Sequence, residues 1–286
     1  MIARWTWPVR GSGARSCPRT FAAGRIVATG VLAARDQADP VRAMRYEGGV
    51  HPAYRGRGLG TALLDWAAGA AGVIHAGRFP GRPLSLQCGF PESDDRAAVL
   101  FAEHGFTPVR YFRRMTRRLE RDNLPPARMP DGFEIVGYRA DLDEPMRVAK
   151  NEAFAEHWDS TPTPPEMWRS RFTGPEFQPE LSPLAVDAAT GEIVGLVITH
   201  LNQAQTAAMG QRDAHLNNVA TLRRARGLGI ATALLVTMLQ GARERGFGTA
   251  SLDVDAENAT GALGVYGKVG FTVADTWVTY GRDTAA

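Results

Sequence analysis

Two nearly identical glycine-rich phrases limit what this chain can fold into more than any other feature of its sequence. Residues 55–63 read RGRGLGTAL and residues 224–232 read RARGLGIAT, 169 positions apart (224 − 55), and each opens an apolar stretch with helical spacing. A strand that turns through glycines into a helix leaves backbone N–H groups unpaired at the helix start. Because glycine has no side chain and the helix dipole favours negative charge, an anion can approach those groups closely. We therefore predict an anion-binding turn in each half of the chain.

Nucleotide-binding signatures do not account for these turns. The phosphate-binding pattern G-x-x-x-x-G-K-[ST] is absent from the chain. The dinucleotide pattern G-x-G-x-x-G is also absent, because Gly56, Gly58 and Gly60 alternate and Thr61 stands where the third glycine is required. A glycine-rich turn that binds nothing stays open as an alternative, and two copies in the same context weaken it.

Hydrophobic periodicity predicts a mixed α/β sheet in the second half of the chain. Over residues 133–282 the pattern indicates the order β-α-α-β-β-β-α-β-α-β, with the central helix following the glycine turn. One face of that helix is predicted to be apolar, and it carries Ile230, Leu234, Leu235, Met238 and Leu239.

The first half repeats the later part of this order. Gly105-Phe106 matches Gly270-Phe271 at an offset of 165, close to the offset of the glycine phrases, which indicates an internal duplication. Only 54 residues precede Arg55, too few for the opening β-α-α of the second copy, so we predict that the N-terminal copy is incomplete. The charged, Pro-rich residues 119–132 predict a linker between a partial domain at 1–118 and a complete domain at 133–286.

Charge is distributed unevenly between the halves. Residues 1–120 carry 18 Arg, no Lys and 9 acidic residues, a net charge of +9, which leaves −6 for the remainder and +3 in total. Such asymmetry can mark a half that binds a polyanion. We nevertheless disfavour nucleic acid as a partner, because Arg outnumbers Lys by 31 to 2, as genomic base composition can produce, and no basic tract is interleaved with aromatic residues.

Cysteine usage and hydropathy exclude several classes of protein. Cys17 and Cys88 are too few for a disulfide framework or a cysteine-rich metal site, so we expect free thiols, no metal and a cytoplasmic location. No run of about eighteen apolar residues predicts a membrane span. The first twenty residues contain four arginines and no apolar segment of the kind found in secretory signals.

Taken together, the motifs resemble the GNAT family of acyl-CoA-dependent N-acyltransferases. Over residues 133–282 the resemblance covers a whole domain, and over residues 40–118 a partial one. The family's pyrophosphate signature, [Arg/Gln]-x-x-Gly-x-[Gly/Ala], is matched by Arg224, Gly227 and Gly229, and again by Arg55, Gly58 and Gly60. The preceding Val-x-Pro is matched by Val50, His51 and Pro52, and the family's late segment by Asn258, Tyr266, Gly270 and Phe271.

The resemblance implies tandem GNAT folds and acetyl-CoA as the acyl-donor cosubstrate, with no metal. It implies that strand-edge backbone groups of Val219, Ala220 and Thr221 receive the pantetheine arm and that the turn after them holds the pyrophosphate. The cofactor-binding residues it implies are Val219, Ala220, Thr221, Arg224, Gly227, Leu228, Gly229, Ile230, Ala231 and Asn258 in the second copy, and Val50, His51, Arg55, Gly58, Gly60 and Thr61 in the first.

The same resemblance favours the second copy as the catalytic one. Some members place a carboxylate base eleven residues before the signature arginine, a position held by Asp213 in the second copy and by Met44 in the first. The general acid that protonates the leaving thiolate would be Tyr266, which is matched by Phe101 in the first copy. Asp213 could instead be an exposed strand-edge charge with water activating the amine, and Tyr266 could be an ordinary core aromatic. His215 and His200 are open in the same way, as bases or as ordinary polar residues.

The sequence therefore predicts an acetyl-CoA-dependent N-acyltransferase that acetylates the primary amine of a small molecule by direct attack. A cationic acceptor would have Glu152, Glu156 and His157 as candidate contacts. The alternative from another class is a non-catalytic acyl-CoA-binding regulatory module. A nucleic-acid binder that uses the basic half is the third hypothesis, and its affinity would fall steeply with salt.

Overall fold

The computed structural model describes residues 15–16, 19–22, 24–34, 42–120, 124–158, 160–172, 174–257 and 261–284. Its contacts divide the chain into two compact units. The first unit contains Met1–Phe112 together with Thr276–Ala286, and the second contains Arg113–Asp275.

Parallel pairing in the first unit is confined to one central pair of strands. The strands are β1 (Arg15–Ser16), β2 (Arg19–Ala22), β3 (Arg25–Ala34), β4 (Arg42–Val50) and β5 (Leu84–Pro91), and the helices are α1 (Leu59–Arg78) and α2 (Asp95–Glu103). The strand β6 (Thr107–Arg118) starts in this unit, and the C-terminal strand β12 (Thr272–Thr284) ends in it. The sheet order is β1-β3-β4-β5-β12, with β2 also paired to β3. Among the described residues of this unit, only β4 and β5 pair in parallel.

The second unit repeats this arrangement around β10 and β11. In chain order its elements are β7 (Phe133–Val136), α3 (Asp143–Ala153), α4 (Pro165–Phe172), β8 (Leu184–Asp187), β9 (Ile193–Leu201), α5 (Gln203–Met209), β10 (Asp213–Thr221), α6 (Ile230–Glu244), β11 (Thr249–Asp255) and α7 (Ala262–Lys268). Its sheet order is β6-β11-β10-β9-β8-β7. The strands β10 and β11 are parallel, whereas β7, β8, β9 and β10 pair antiparallel in sequence. The predicted mixed α/β sheet is confirmed.

Packing of α6 against the sheet builds the main core of the second unit. The five residues predicted to share one helix face are each no more than 1% exposed. They pack with sheet residues such as Ala214, Leu216 and Leu252. The helix lies so close to β9 that a Cβ added to Gly195 would stand 2.9 Å from Ile230 Cγ2. This face of the sheet is therefore closed by α6, and Asp213 and His215, which alternate with Ala214 and Leu216 along β10, lie on the opposite face.

Two parts of the fold were not predicted from the sequence. No element was predicted before residue 43, where the structure has β1, β2 and β3, and the short α5 was missed. Helix α5 buries none of its residues. It is held by its ends, because the Asn202 side chain accepts a hydrogen bond from Gln205 N at 3.0 Å and Gly210 closes the helix at a φ of 68°.

The units also differ from a division made along the chain at residues 118 and 133. The end of β12 pairs antiparallel with β5, for example at Tyr280 with Cys88, so it belongs to the first unit. The end of β6 belongs to the second unit, where Leu119 is 2% exposed and donates its backbone N–H to Gly248 O at 2.9 Å. Each unit thus uses the last strand of the other sequence copy, a choice of partner that local periodicity does not encode. Among the described residues, no helix combines the length and apolarity needed to cross a bilayer.

Truncation of the α6 core should destabilise the protein. We expect Leu234→Ala to lower the free energy of unfolding by about 2–5 kcal/mol, because Leu234 is fully buried and its removal leaves a cavity. Urea denaturation followed by circular dichroism measures this change. Gln240→Ala, at a partly exposed position of the same helix, is the matched control and should change the value by less than about 0.5 kcal/mol. Equal effects of the two substitutions would contradict the assignment of the core face.

Candidate functional site

The central strands of the second unit separate part of the way along their length. Their parallel register runs from Asp213 with Thr249 to Leu216 with Leu252. Beyond this point β10 stays paired with β9 after a register shift between Leu216 and Asn218, and β11 continues to Asp255. The residues predicted to receive a pantetheine arm, Val219, Ala220 and Thr221, lie in this separated part of β10. Their pairing to β9 occupies one edge of β10 and leaves the edge towards β11 for a ligand.

A glycine turn joins this part of β10 to α6. Gly227 and Gly229 have φ values of 80° and 90°, in the left-handed region that favours glycine, and a Cβ added to either would meet nothing within 4 Å. Helix α6 begins at Ile230 without a side-chain cap, so its first N–H groups are open to a ligand. Thr221 Oγ1 is buried before the turn without a hydrogen-bond partner among the described residues. Open space, unpaired donors and an orphaned hydroxyl together fit a phosphate-bearing ligand.

Acidic side chains neutralise the arginine of the signature. Arg224 contacts Glu192 at 2.6 Å and Glu152 at 3.4 Å, and all three side chains are at least half exposed. Exposed pairs of this kind contribute little to stability. The guanidinium can therefore exchange these carboxylates for a phosphate at small cost.

The other two arginines of the turn have different roles. Arg226 donates from Nε to Thr221 O at 3.1 Å and so ties the turn to the end of β10. Arg223 pairs with Glu156 at 2.9 Å. Glu152 and Glu156, considered above as contacts of a cationic acceptor, are thus partners of the arginines at the turn.

Asp213 lies at the start of β10 on the face opposite α6, fully enclosed. It is 1% exposed and accepts hydrogen bonds from Thr249 Oγ1 at 2.7 Å and Ser251 Oγ at 2.5 Å. The structure thus places this candidate base at the start of a hydrogen-bonded chain. The alternative of an exposed strand-edge charge is wrong.

The chain continues from Ser251 to His215. His215 Nδ1 lies 3.0 Å from Ser251 Oγ. Because a serine hydroxyl has one proton and Ser251 donates it to Asp213, Ser251 must accept from His215. Nδ1 then carries the ring proton, and the lone pair of Nε2 is left to accept another. Burial lowers the pKa of His215, so the imidazole is neutral at pH 7 and can act as a base.

A charged pair, Arg114 with Asp253, lies close enough to His215 to affect its pKa. Arg114, from β6, donates two hydrogen bonds of 2.8 Å to the carboxylate of Asp253. The Asp253 charge raises the pKa of His215 and the Arg114 charge lowers it, both after the larger effect of burial. Ser251, Asp253 and Arg114 were not predicted as site residues from the sequence. Ser251 and Asp253 alternate with apolar residues in SLDVD, a period that turns them to the face of His215.

Tyr266 lies in α7 and is 8% exposed. Burial raises its pKa to about 12, which keeps the phenol protonated throughout the neutral range. Its ring packs edge-on to Phe271 with 6.1 Å between centroids. A protonated phenol can donate a proton to a leaving thiolate. The predicted cofactor contact Asn258 lies outside the described residues.

The two glycine turns correspond at an offset of 171, not at the 169 of the sequence match. Gly56 and Gly58 have φ values of 71° and 75°, and α1 begins at Leu59, as α6 begins after Gly227 and Gly229. Arg55 donates from Nε to Val50 O at 3.3 Å, which reproduces the Arg226 contact five residues back. Counted this way, the first copy has Ala53 where the second has Arg224.

The remaining residues predicted in the first turn lie on either side of it. Gly60 and Thr61 are in the first turn of α1, where N–H groups have no intrahelical partner. A Cβ at Gly60 would stand 3.0 Å from Leu100 Cδ2. His51 caps the short helical turn before the glycines by accepting from Ala53 N at 3.3 Å.

Strand register shows what the first copy carries in place of the polar chain. The last parallel pair in the first unit is Tyr46 with Cys88, equivalent to Leu216 with Leu252. Counting back from these pairs, the positions of Asp213, His215 and Ser251 are held by Ala43, Arg45 and Gln87. Met44, matched to Asp213 by sequence offset, is instead a core residue packed with α1, because β10 contains one extra residue at its register shift. The carboxylate is absent from the first copy under either alignment.

A cavity of about 420 Å³ opens where β4 and β5 separate in the first unit. Its lining includes Glu47, Gln87, Cys88 and Trp277. Gln87 Oε1 is buried without a partner among the described residues. Burial raises the pKa of the Cys88 thiol to about 12, so this cysteine is not an activated nucleophile. The unpartnered amide oxygen of Gln87 suits a ligand with N–H groups. The protonated thiol of Cys88 does not favour covalent chemistry in this cavity.

Metal ligands do not cluster in the described part of the chain. No group of three or more His, Cys, Asp or Glu side chains there is placed to hold an ion.

Two family models match the chain, one in each half. Residues 146–271 match the acetyltransferase (GNAT) family, and residues 18–108 match an acetyltransferase (GNAT) domain. Similar curated proteins include the mycothiol acetyltransferase of Paenarthrobacter aurescens, 31% identical over 81% of this chain and 68% of that protein. The mycothiol acetyltransferase of a Nocardioides species is 31% identical over 82% of this chain and 79% of its own.

Solved structures with this fold include other acetyltransferases. A GCN5-related N-acetyltransferase from Sphaerobacter thermophilus is 28% identical, with a TM-score of 0.75 over 93% of this chain and 80% of that one. A tandem GNAT protein from the clavulanic acid biosynthesis pathway is 20% identical, with a TM-score of 0.69 over 94% of this chain and 83% of that one, and it shows the fold alone.

The environment of His215 gives a prediction that needs no substrate. We expect its imidazole to titrate below the ordinary value of about 6.5, because burial disfavours the charged form. Asp253→Asn should lower the pKa further, since it removes a negative charge and leaves the positive Arg114 beside the ring. NMR titration of labelled imidazoles measures both values, with His215→Gln identifying the signal. A wild-type pKa at or above 6.5, or an increase in Asp253→Asn, would contradict the described surroundings of His215.

Proposed function

We propose that this chain, which belongs to the acetyltransferase (GNAT) family, transfers an acetyl group from acetyl-CoA to the primary amine of a small molecule. The observation that carries the proposal is the Asp213–Ser251–His215 chain on the strands that separate beside the glycine turn. The first copy keeps the turn and lacks this chain.

The glycine turn of the second unit is the proposed pyrophosphate site. Backbone N–H groups from Gly227 to Ala231 would hold the phosphate oxygens, because no side chain caps α6 and no Cβ narrows the turn. Arg224 would leave its two glutamates for phosphate. Val219, Ala220 and Thr221 would bind the pantetheine arm along the free edge of β10, and Asn258 remains a proposed contact.

Acetyl-CoA supplies an activated acyl group whose transfer requires a deprotonated amine and a protonated leaving thiol. We assign the second task to Tyr266, which its buried surroundings keep protonated. The amine nitrogen forms a bond to the acyl carbon, the carbon–sulfur bond breaks, and the Tyr266 proton goes to the sulfur. Solvent then returns a proton to the phenolate.

The amine loses its proton to His215 in this proposal. Neutral His215 has Nδ1–H directed at Ser251, which leaves Nε2 to accept the proton. Asp213 acts as a positioning residue, because its carboxylate fixes the Ser251 hydroxyl and through it the imidazole tautomer. It also stabilises the imidazolium that forms, which then gives the proton from the amine to solvent. Asp213 therefore contributes to base catalysis without touching the acceptor.

The first copy is proposed to bind a second acyl-CoA without turning it over. Its turn presents Gly56, Gly58, Gly60 and Thr61 at the start of α1, next to Val50 and His51. Gln87, in the cavity where β4 and β5 separate, has an unpartnered amide oxygen for the amides of a pantetheine arm. Phe101 stands where Tyr266 stands in the second copy, so the general acid is missing. We accordingly propose that residues 1–118 carry the non-catalytic copy and residues 133–286 the catalytic one, although Arg114 and Arg117 of β6 fold with the second unit and residues 276–286 fold with the first.

The acceptor is proposed to be a small polar amine related to mycothiol. Relatives about 30% identical over most of this chain are named mycothiol acetyltransferases. The face around His215 suits a polar acceptor, since it presents a histidine, a serine and the Asp253–Arg114 pair.

Acetyl-CoA binding and turnover test the proposal together. The substitutions Leu228→Glu and Arg57→Glu each place a carboxylate between the two left-handed glycines of one turn, at exposed positions. We expect wild-type protein to bind two acetyl-CoA molecules by calorimetry. Leu228→Glu should weaken the second-unit site at least tenfold through charge repulsion, about 1.4 kcal/mol. It should also lower CoA thiol release with glucosamine, cysteine, lysine and spermidine as trial acceptors.

Arg57→Glu is the matched variant for the other turn and should reduce the number of binding sites from two to one. Turnover that survives Leu228→Glu but is lost in Arg57→Glu would assign the reaction to the first copy and contradict the proposal. A wild-type protein that does not bind acetyl-CoA would refute the proposed function as a whole.

A further inference from the structure

Arg117 from β6 is buried against the end of the helix that carries Tyr266. It is 5% exposed, and its Nη1 donates a hydrogen bond to Val269 O at the C-terminal end of α7. The next residue, Gly270, has a φ of 84°, and a Cβ there would collide with the Arg117 guanidinium. Glycine at this position thus serves two purposes: it ends the helix and leaves room for the arginine.

Backbone hydrogen bonds lead from this contact to Tyr266. Val269 N and Phe271 N both donate to Tyr266 O, at 3.2 Å and 3.0 Å. The ring of Phe271 packs edge-on to the Tyr266 ring. Residues 269–271 therefore touch Tyr266 through its carbonyl and through its ring, and Arg117 holds this segment.

The first unit contains an equivalent contact, in which an arginine of β12 donates to a backbone carbonyl just after α2. Arg282 from β12 donates from Nη1 to His104 O at 3.1 Å, beside Gly105 at a φ of 76°, and its guanidinium lies 5.4 Å from the Phe106 ring. Phe106 N donates to Phe101 O at 3.0 Å, as Phe271 N does to Tyr266 O. The two arginines are 165 positions apart (282 − 117), as are Phe101 and Tyr266 (266 − 101).

Each arginine lies near the end of the last strand of one sequence copy, and that end belongs to the unit built mainly from the other copy. Arg117 belongs to the second unit with Tyr266, and Arg282 belongs to the first unit with Phe101. The contact therefore occurs in both units as part of the fold. The helix next to it carries the ionisable Tyr266 in the second unit and Phe101 at the equivalent position in the first.

We propose that Arg117 is a positioning residue for Tyr266, through which the first sequence copy sets the orientation of the general acid in the second. The inference rests on the function proposed above. A guanidinium that bonds the C-terminal carbonyl of α7 fixes the end of a helix of only seven residues. Tyr266 lies two residues from the end of that helix, so a shift of its last turn moves the phenol. A misplacement of about 1 Å can cost up to about 10²-fold in rate.

Kinetics of three single variants test this role first. Arg117→Met keeps the aliphatic stem and removes the donor, and Arg282→Met makes the same change in the first unit as the matched control. With the best of the four trial acceptors named above, we expect Arg117→Met to lower kcat at least tenfold with little change in the KM for acetyl-CoA. Arg282→Met should leave kcat within twofold of wild type. Arg117→Lys, which can still donate to one carbonyl, should recover part of the loss.

The double variant separates positioning from a general loss of structure. Tyr266→Phe alone should lower kcat about 10²-fold, as expected for loss of a general acid. If Arg117 acts through Tyr266, adding Arg117→Met to Tyr266→Phe should cause no further loss. Independent effects that multiply in the double variant would overturn the proposal, as would wild-type kcat in Arg117→Met.

Hydrogen exchange provides a second measurement that does not depend on an acceptor. We expect amides of residues 262–271 to exchange faster in Arg117→Met, and amides of residues 95–106 to do so in Arg282→Met. Unchanged exchange in α7 would overturn the proposal even if no amine were turned over, and Arg117→Lys replaces Arg117→Met in this test if the latter does not fold. A Tyr266→Phe variant with full activity would instead refute the proposed role of Tyr266 and leave the contact of Arg117 with α7 standing.

Discussion

Parallel pairing between β10 and β11 ends at Leu216 and Leu252, and the ligand site proposed for the second unit lies beyond this point. Paired strands lie about 4.8 Å apart and have no room for a ligand between them. A register shift in β10 allows this strand to remain with β9 while β11 continues on its own course. The same strand runs directly into the glycine turn, so the start of α6 lies at the end of the separated edge. One irregularity thus brings together free backbone groups, a helix N-terminus and the polar face around His215.

Comparison of the two copies separates the scaffold from the chemistry. Both copies have the parallel pair, the left-handed glycines and an arginine tied to a carbonyl five residues back. Only the second has the hydrogen-bonded chain from Asp213 to His215 and a phenol where the first has Phe101. The scaffold depends on backbone geometry, which many side chains permit. The chemistry depends on a few side chains, and Ala43 and Gln87 in the first copy show how readily these are replaced.

Much of this could be predicted from the sequence, because the elements of the second unit are long and periodic. The apolar face of α6 and the order of the helices and strands along the chain follow from hydrophobic spacing alone. The sequence alignment of the two turns was wrong by two residues. It followed the identical residues in RGRGLG and RARGLG, whereas the structure aligns the left-handed glycines. The exchange of β6 and β12 between units could not be foreseen, because strand pairing depends on distant partners. Asp213 was a candidate base only through the family resemblance, and its catalytic role stays a prediction. Its burial and its link through Ser251 could not be predicted, because they depend on β11 lying beside it.

A crystal structure of the protein with acetyl-CoA would show whether the separated strands and glycine turn of the second unit present the thioester to Tyr266. We expect pyrophosphate oxygens within hydrogen-bond distance of the backbone N–H groups of residues 227–231. We also expect the thioester sulfur to lie within about 3.5 Å of the Tyr266 hydroxyl. Acetyl-CoA bound only in the first unit, or a Tyr266 hydroxyl directed away from the sulfur, would contradict this arrangement.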